Sequence, residues 1–453
     1  MKIYHENAKD IPVAAEVDVL VCGAGPAGLM AAQAAAKNKN LKVMLIEQRG
    51  YMGGNLTIGL PILAFLGPRG NQVIAGAAQK FIARLKERGC ASEHKACKLH
   101  QSLTIINSDE VRSVAWEMMD EAGVNVQLYT FISNAIVKDG CIKGVITESK
   151  AGRQAILAKT VIDCTGDADV SFRAGVECNK GDENGGLQPP TLMYCMKGVD
   201  IQALRDAIVN NPEQYDMDRM PKEQFIDGKF ITVGLRGCIE RAKEAGIDIP
   251  VARTILITGL EDDEIWVNMV RVNGTDSTDP VSYTKAEQKA IYQMKEITKY
   301  LKEFVPGFKS ARIVKRADFL GIRESRVIVG KYVMTAEDML NQKPQEDRIC
   351  KGGYPVDIHH SEGDDCTMLF CDDAYDISYK VLLPAKIKNL LVAGRCSSMN
   401  HEAMAGTRVM STCMALGEAA GTAARIGIET NSGVDVVNIE KVQQEILDNG
   451  GIL

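Results

Sequence analysis

The chain has 453 residues, of which 45% are hydrophobic and 25% charged, and its formal net charge at pH 7 is −6. A mildly acidic chain without a basic stripe is a poor candidate for binding nucleic acid or an anionic membrane, so neither partner is expected. The length exceeds that of one typical domain and predicts two or three packed units.

The cysteines and the N-terminus indicate the compartment and the kind of chemistry. The thirteen cysteines are scattered without any C-x-x-C, so neither a redox disulfide nor a metal site is expected. The first residues lack the apolar core of a signal peptide, and no apolar run approaches the roughly 20 residues of a membrane span. These features predict a cytoplasmic protein whose redox chemistry resides in a bound organic cofactor.

The first predicted elements form a nucleotide-binding motif. The apolar run VDVLV at 17–21 is typical of a strand buried on both faces, and LMAAQAAA after it predicts a helix. Between them, GAGPAG places Gly23, Gly25 and Gly28 at the spacing G-x-G-x-x-G. Gly23 permits a sharp turn, Gly25 lets backbone N–H groups meet a pyrophosphate, and Gly28 lets the helix pack closely. The helix N-terminus adds a partial positive charge facing the phosphates.

A second predicted strand, LKVMLI, ends at Glu47, about twenty residues after the last glycine, as the dinucleotide fingerprint requires. A carboxylate at this point accepts hydrogen bonds from both hydroxyls of an adenosine ribose. It also repels a 2′-phosphate, which argues against an NADP-type ligand. The motif therefore predicts a dinucleotide site.

The segment after Glu47, QRGYMGGNLTIGLPILAFLGPRG, separates FAD from NAD. A plain NAD domain would continue through a second helix, whereas this passage is irregular, glycine-rich and apolar. Gly53 and Gly54 suit close approach of the backbone to a long ligand, and Asn55 and Thr57 offer an amide and a hydroxyl. Its many Ile, Leu and Phe residues make a solvent-exposed loop the weaker interpretation.

The next elements are a predicted amphipathic helix at 109–122, a strand VNVQLYT and a hairpin that turns at Asp139-Gly140. A further strand, AKTVIDC, ends in TGD, which comprises Thr165, Gly166 and Asp167. A strand followed by a turn explains TGD without any ligand. Its place after a complete fingerprint favours a second wall of the nucleotide site.

The middle of the chain changes character, with mixed strands such as FITVG and a predicted helix whose capping box pairs Thr284 with Glu287. No second G-x-G-x-x-G with a following acid occurs there, so a separate NAD(P)H domain is not expected. In LGIRESR, Arg323 either begins a solvated helix or orients an oxygen-rich or anionic substrate. The pair His359-His360, among charged residues, predicts an exposed loop without a metal.

The last predicted elements are a strand, LLVAGR, a loop and a small-residue helix that begins near Thr407. Gly417 and Gly421 give this helix a G-x-x-x-G face, which is expected to pack closely under a sheet. His401 lies in the loop, where it is either a core histidine or a base that accepts a proton as hydride leaves the substrate. The helix N-terminus, with Arg408 close by, is suited to stabilise negative charge on a flavin ring.

The motifs of this chain stand in an order similar to the FAD-dependent oxidoreductase family, within the glutathione-reductase-like flavoprotein superfamily. These motifs are GAGPAG with Glu47, YMGGNLTIG, VIDCTGDADV, LGIRESR and LLVAGRC…HEA…TRVMSTCMALGEAAGTAA. More remotely, the chain resembles the flavoprotein subunits of fumarate reductases and succinate dehydrogenases. The resemblance covers nearly the whole chain. It implies an α/β fold, in which a discontinuous Rossmann-like FAD-binding domain (1–180 and 373–453) carries an inserted α+β substrate or cap domain (181–372).

By this resemblance FAD is the cofactor, and its two halves have separate contacts. The residues implied to hold it are Gly23, Gly25, Pro26, Ala27, Gly28, Glu47, Gln48, Gly53, Gly54, Asn55, Thr165, Gly166, Asp167, Gly394, Arg395, Thr407 and Arg408. The glycines of the first loop and Glu47 would hold the ADP half. The last four residues of that series would close over the ribityl chain and the pyrimidine edge.

The expected activity is hydride transfer between flavin N5 and a small polar or anionic substrate, with His401, Arg323 and Arg408 as the catalytic candidates. Oxidation of an alcohol or a C–H bond is favoured over reduction of an activated C=C bond. Two other classes stay open, an electron-transfer flavoprotein component of a larger complex and a non-redox binding or tRNA-modifying protein. The substrate and the electron acceptor or donor are not identified by the sequence, and a homo-oligomer is left open.

Overall fold

The computed structural model describes residues 2–214, 221–226 and 228–453. Its elements are numbered in chain order. The strands are β1 (Val13–Cys22), β2 (Val43–Ile46), β3 (Ile62–Leu63), β4 (Lys95–Cys97), β5 (Gln101–Thr104), β6 (Asn125–Gln127), β7 (Phe131–Lys138), β8 (Cys141–Ser149), β9 (Gly152–Asp163), β10 (Cys178–Lys180), β11 (Tyr194–Lys197), β12 (Ile231–Gly234), β13 (Thr254–Thr258), β14 (Ile265–Val267), β15 (Arg312–Arg316), β16 (Arg326–Ile328), β17 (Arg348–Gly352), β18 (Val356–His359), β19 (Cys366–Leu369), β20 (Tyr375–Ser378) and β21 (Leu390–Val392). The helices are α1 (Pro26–Ala35), α2 (Gly76–Glu87), α3 (Glu110–Ala122), α4 (Asp169–Arg173), α5 (Ile201–Asn210), α6 (Glu223–Ile226), α7 (Arg236–Glu244), α8 (Pro280–Phe304), α9 (Ala336–Leu340), α10 (His401–Thr407), α11 (Met410–Glu429) and α12 (Ile439–Asp448).

The largest sheet is Rossmann-like, with β6, β2, β1 and β9 parallel in that order and β8 and β7 added antiparallel. β21, from the far end of the chain, also pairs in parallel with β9. The registers align Cys22 with both Ile46 and Asp163, and Asp163 with Val392. The carboxyl ends of four strands therefore meet at one edge of the sheet, which is where ligands bind in open α/β sheets.

The predicted strands and the helix of the nucleotide motif are confirmed by β1, α1 and β2, and the helix at 109–122 by α3. The hairpin through Asp139-Gly140 is confirmed by the pairing of β7 with β8. These segments fold as predicted because each combines a clear periodicity with its own turn residues.

The small-residue face of α11 packs against α1, not directly under the sheet as expected. A Cβ atom at Gly417 would lie 2.0 Å from the carbonyl oxygen of Ala27, and one at Gly421 would lie 2.1 Å from that of Ala31. Because α1 is rich in alanine, the two helix backbones approach closely. α11 also contacts β1, β9 and β21 of the large sheet.

The inserted region has its own antiparallel sheet, in the order β12-β13-β14-β11-β15. α8 begins at Pro280 with Asp279 as its N-cap, so the capping box predicted at Thr284 and Glu287 is wrong. The carboxylate of Asp279 accepts hydrogen bonds from the next two free N–H groups, and proline at the first helical position strengthens this earlier start.

The described residues form three hydrophobic cores, which follow the predicted division only in part. The cap core contains residues of its own sheet and also five residues from the first part of the chain, Ile58, Cys97, Leu99, Leu103 and Ile105. The core between the large sheet and α11 includes Met339 and Tyr375, which flank the predicted boundary at 372. The boundaries at 180 and 372 stay predictions. Among the described residues, no helix is both long and apolar enough to cross a membrane.

Candidate active site

The glycine-rich loop between β1 and α1 has the close contacts that the motif predicts. Gly23 has φ of +96°, and a Cβ atom there would lie 2.6 Å from the carbonyl oxygen of Cys164. A Cβ atom at Gly28 would lie 1.8 Å from the carbonyl oxygen of Gly23. A Cβ atom at Gly25, by contrast, would meet nothing within 4 Å. The loop is therefore tight on the protein side and open on the side that faces the cleft.

This open side belongs to a cavity of about 730 Å³, called the large cleft here, at the carboxyl ends of the parallel strands. The predicted cofactor residues that line it are Gly23, Gly25, Pro26, Ala27, Glu47, Gln48, Gly54, Asn55, Thr165, Gly166, Asp167, Gly394, Arg395 and Arg408. Gly28, Gly53 and Thr407 do not line it. Gly53 instead shapes the turn, with φ of +118°, and brings Gly54 against Gly25.

Glu47 lies at the end of β2 with 7% of its surface exposed. Its Oε2 accepts a hydrogen bond of 2.9 Å from the backbone N–H of Ala24, and its Oε1 accepts one of 2.9 Å from that of Arg49. The carboxylate is thereby fixed between the glycine-rich loop and the start of the next segment. A fixed acceptor at this point suits recognition of ribose hydroxyls.

A second wall of the large cleft is built around two aspartates. Asp163, fully buried at the end of β9, accepts hydrogen bonds from the hydroxyl groups of Thr165 and Ser171, both at 2.7 Å. Asp167 accepts one of 2.8 Å from Nη2 of Arg395. Burial alone would raise the pKa of Asp167, but the charge and hydrogen bond of Arg395 hold this pKa below its usual value. The segments that follow β9 and β21 are thus held together by a partly buried ion pair.

The third wall differs from the prediction of one helix beginning near Thr407. The chain forms two helices, α10 and α11, and the second begins at Met410. Thr407 ends α10, and its hydroxyl donates a hydrogen bond of 3.0 Å to the carbonyl of Ala403 inside that helix. The extended backbone of Val409 separates the two helices, so Arg408, not Thr407, faces the large cleft.

Several residues that line the large cleft are not among the predicted site residues, and most of them come from segments without a motif. Two arginines among them stack on aromatic rings. The Cζ atom of Arg49 lies 3.8 Å from the ring centroid of Phe319, and that of Arg326 lies 4.4 Å from the ring centroid of Phe172. The lining residues missed from the sequence include Arg49, Thr130, Phe131, Asp169, Phe172, Arg173, Ser277, Thr278, Tyr283, Phe319 and Arg326. Asp169 and Arg326 stand inside the motifs VIDCTGDADV and LGIRESR and Arg49 directly follows Gln48, whereas no local pattern marks the others, which only the tertiary fold brings to this edge.

A cluster of buried charges adjoins Arg408. Its guanidinium donates a hydrogen bond of 3.2 Å to the backbone carbonyl of Asp357 and lies 3.9 Å from the carboxylate. Asp357 also accepts a hydrogen bond of 3.0 Å from Tyr354 and lies 3.5 Å from Nε2 of His359. Burial alone would raise the pKa of Asp357, but His359, Arg408 and Arg323 hold it far below its usual value.

Arg323 is part of this cluster and does not begin a helix. Its guanidinium donates a hydrogen bond to the carbonyl of Pro189. Burial, together with repulsion from Arg408, lowers the pKa of Arg323 to about 9. The cluster therefore contains two guanidinium groups and a single carboxylate, Asp357, within its direct contacts.

His359 lies inside the protein, so the predicted exposed loop is wrong for this residue. Its side chain is 15% exposed and belongs to β18, while the neighbouring His360 is exposed. Burial and the charge of Arg323 lower the pKa of His359 to about 4, which leaves its ring neutral at pH 7. The alternation of side chains along a strand explains why one histidine points inward and the next outward.

His401 does not line the large cleft. It also does not line a second cavity, the cap pocket, which is described in the next paragraph. Its Nδ1 lies 2.7 Å from Oε1 of Glu324, a carboxylate that is 2% exposed and that also accepts a hydrogen bond from the N–H of Gln188. Burial alone would lower the pKa of His401, but the hydrogen bond with Glu324 raises it above 6.5. The sequence interpretation that placed His401 as a base stays a prediction.

A second cavity of about 320 Å³, the cap pocket, lies between the inserted sheet and the rest of the chain. Its polar and charged lining residues are His100, Arg236, Arg253, Asn268, Tyr354, Asp357 and His359, and most of its other walls are apolar. Arg408 connects the two cavities, since it lines the large cleft and contacts Asp357 in the cap pocket. Over the described ranges, no group of three or more His, Cys, Asp or Glu side chains is placed to hold a metal ion.

A family model described as FAD dependent oxidoreductase matches residues 18–446. The chain belongs to the FAD-dependent oxidoreductase family. It is an enzyme of the oxidoreductase class, and FAD is its cofactor. The geometry fits this group because the open space before Gly25 and the ring of cleft residues could hold a dinucleotide, with Glu47 at one wall and Arg408 at another.

Individual relatives of this FAD-dependent oxidoreductase match over shorter stretches. It is 28% identical over 158 residues to a digeranylgeranylglycerophospholipid reductase of Methanosphaerula palustris, which covers 33% of this chain and 39% of that protein. It is 29% identical over 168 residues to a thiamine thiazole synthase of Methanococcus aeolicus, covering 34% and 57% respectively. The matched segments thus span about two fifths to three fifths of these relatives.

Solved structures of similar fold match over most of the chain at low identity. A geranylgeranyl bacteriochlorophyll reductase-like protein of Thermoplasma acidophilum is 15% identical with a TM-score of 0.45, covering 96% of this chain and 82% of that one. The L-proline dehydrogenase of P. horikoshii is 11% identical with a TM-score of 0.46, covering 98% and 100%.

Proposed function

We propose that this oxidoreductase moves a hydride between N5 of FAD and a small organic substrate that carries a polar or anionic group. Oxidation of an alcohol or a C–H bond is favoured over reduction of an activated C=C bond. Bound FAD supplies the two-electron acceptor or donor. In the alcohol case, the substrate carbon gives up a hydride, its hydroxyl gives up a proton, and a carbonyl forms.

The observation that carries this proposal is the buried charge cluster between the two cavities. Arg408 and Arg323 place two positive charges around the carboxylate of Asp357, with His359 neutral. Because a buried charge needs a partner, the excess positive charge favours a substrate that brings a negative or strongly electron-rich group. Arg408 has the further advantage of facing the large cleft.

The proton acceptor in this proposal is His359 and not His401. A general base must be neutral before it accepts a proton and must lie where the substrate lies. His359 meets both conditions, since it lines the cap pocket and its pKa is lowered to about 4. His401 is paired with Glu324, and its raised pKa favours the protonated ring. Asp357 would then orient His359 and stabilise the imidazolium as it forms.

A second candidate function is reduction of a C=C bond. Two relatives carry the name digeranylgeranylglycerophospholipid reductase, which supports the reductive direction.

We also place the chain, as a proposal, within the glutathione-reductase-like flavoprotein superfamily and in the cytoplasm. The electron donor or acceptor would be a small molecule or a carrier protein, since the inserted sheet is antiparallel and not a second parallel nucleotide-binding sheet.

The test is anaerobic bleaching of the flavin absorbance in the purified holoenzyme by a panel of hydroxy acids, simple alcohols and amino acids. Fast, saturable bleaching by a hydroxy acid would support oxidation. Reoxidation of dithionite-reduced enzyme by an enoate, without bleaching by any alcohol, would instead establish the reductive candidate. An enzyme inert toward both sets would favour an electron-transfer component.

A further inference from the structure

The floor of the cap pocket is an aliphatic face of the inserted sheet. Ile231 pairs across β12 and β13 with Ile257, and Val233 pairs with Ile255. Alternate residues of a strand lie on one face, so these four side chains form one continuous patch, and all four line the cap pocket. The intervening Thr232 is fully buried on the opposite face.

The walls that face this floor are also apolar, and they come from a different part of the chain. Leu60, Pro61 and Leu63 belong to the segment that follows the 3-10 turn at Gly54–Thr57. Met368 and Phe370 come from β19 and the residue after its end. Hydrocarbon walls on several sides bind the apolar part of a ligand by removing it from water.

The polar and charged residues of the pocket lie in two groups. Arg236 and Arg253 line it near the ends of the strands β12 and β13 that form the floor, and a second group lies on the side connected to Arg408. Tyr354, Asp357 and His359 are joined by direct contacts, and the ring of His100 stacks on that of Tyr354 with centroids 6.2 Å apart. The cap pocket shares no lining residue with the large cleft. It is therefore a separate chamber with an aliphatic floor and with charged groups at its edges.

We propose that the cap pocket binds a small amphipathic anion, with its hydrocarbon body on the Ile–Val floor and its anionic group at Arg236 and Arg253, the two arginines that line the pocket. This inference rests on the proposed function, which it narrows to substrates with a substantial apolar body. A purely polar metabolite such as a sugar would place its hydroxyl groups against the aliphatic floor. Those hydroxyl groups would lose their hydrogen bonds to water and gain none in return.

The test uses holoenzyme and straight-chain monocarboxylates from butanoate to octanoate, which the proposed reaction does not oxidise as alcohols. Calorimetric titration should give a Kd that falls about fourfold for each added methylene until the pocket is full. Straight-chain 1-alkanols of equal length should bind more weakly, because they lack the charge that pairs with guanidinium groups.

The variant Val233→Phe should fill the floor and abolish the dependence of Kd on chain length. Val137→Phe is the matched control, since Val137 is a strand valine that is 37% exposed on β7, and it should retain that dependence. Should Val233→Phe fail to fold, Val233→Thr keeps nearly the same shape and should reduce the gain for each methylene.

A Kd that does not change with chain length, or a dependence that persists in Val233→Phe, would overturn the proposal. So would 1-alkanols that bind as tightly as the carboxylates. Failure of the proposed function is seen separately. The proposed function fails if no hydroxy acid bleaches the flavin and no enoate reoxidises it. If carboxylates still bind to that enzyme with the expected dependence on chain length, the assignment of the cap pocket stands.

Discussion

The guanidinium of Arg408 lines the large cleft and donates a hydrogen bond of 3.2 Å to the backbone carbonyl of Asp357, whose side chain lines the cap pocket. One residue thus connects the cofactor cavity with the second chamber. The link depends on the break between α10 and α11, which turns Arg408 toward the cleft. A substrate held beside Asp357 would therefore lie next to a cation that faces the cofactor.

The first prediction concerns the open space before Gly25. The variant Gly25→Leu should fold, because Gly25 has φ of −76° and a Cβ atom there meets nothing within 4 Å. Its side chain would occupy the path of the pyrophosphate, so FAD content should fall at least tenfold. The ratio of absorbance at 450 nm to that at 280 nm measures this loss.

The matched control is Gly237→Ala in α7, where a Cβ atom would make only ordinary contacts of 3.5 Å or more. This protein should keep its full flavin content. If Gly25→Leu retained FAD with a normal thermal transition, the large cleft would not be the site of the pyrophosphate.

The nucleotide half of the site could be predicted from sequence because its determinants are local. The glycine spacing, the strand before it and Glu47 after it lie within 31 residues, from 17 to 47, and the structure places them as predicted. At 401–429 the prediction of one helix that begins near Thr407 is wrong, because the structure has two helices, α10 and α11, and both contain helix-forming residues. Only the backbone conformations of Arg408 and Val409 divide the two.

The substrate side could not be predicted in the same way because it depends on contacts between remote segments. Asp357, Arg408 and Arg323 lie far apart in the sequence, and nothing local indicates that their charges meet. His359 illustrates the point, since its neighbours SEGDD suggest an exposed loop, whereas pairing of β18 with β19 turns its ring inward. The cap pocket likewise forms only where the inserted sheet meets the segment at 60–63.

The second prediction concerns the ion pair of Asp167 with Arg395. Asp167→Ala should destabilise the fold by about 1–3 kcal/mol, because it removes the carboxylate from a partly buried, charge-assisted hydrogen bond. Asp167→Asn should cost less, since the amide oxygen still accepts the hydrogen bond. Urea unfolding of the FAD-free proteins measures the difference, and equal stability of Asp167→Ala and wild type would contradict it.

The third prediction concerns pyridine nucleotides. NADH and NADPH should reduce the flavin slowly and without saturation, because the inserted sheet is antiparallel and the chain has one G-x-G-x-x-G motif with a following acid. Stopped-flow absorbance under anaerobic conditions measures the rate against nucleotide concentration. Fast reduction that saturates at micromolar nucleotide would reveal a site outside the motif.

The last prediction concerns the pair of His401 with Glu324, and its sign follows from the raised pKa of the histidine. The folded state favours the protonated ring, so the pair stabilises the protein fully below the unfolded pKa of about 6.5 and loses this effect as pH rises through the folded value. His401→Gln should therefore lower the free energy of unfolding by about 1–3 kcal/mol at pH 5.5 and by less at pH 9. Urea unfolding of both proteins across this range measures the difference, and one that grows with pH would contradict the pairing.

The same variant separates the two histidines in catalysis. His401→Gln should retain FAD and keep the rate of flavin reduction within about tenfold of wild type, because the ring of His401 is paired with Glu324 and lies outside both cavities. His359→Gln should cut that rate by about a hundredfold or more, since a neutral base in the cap pocket is lost. The reductive half-reaction with the best substrate of the panel measures both rates. The reverse order of effects would restore His401 as the base and remove His359 from the reaction.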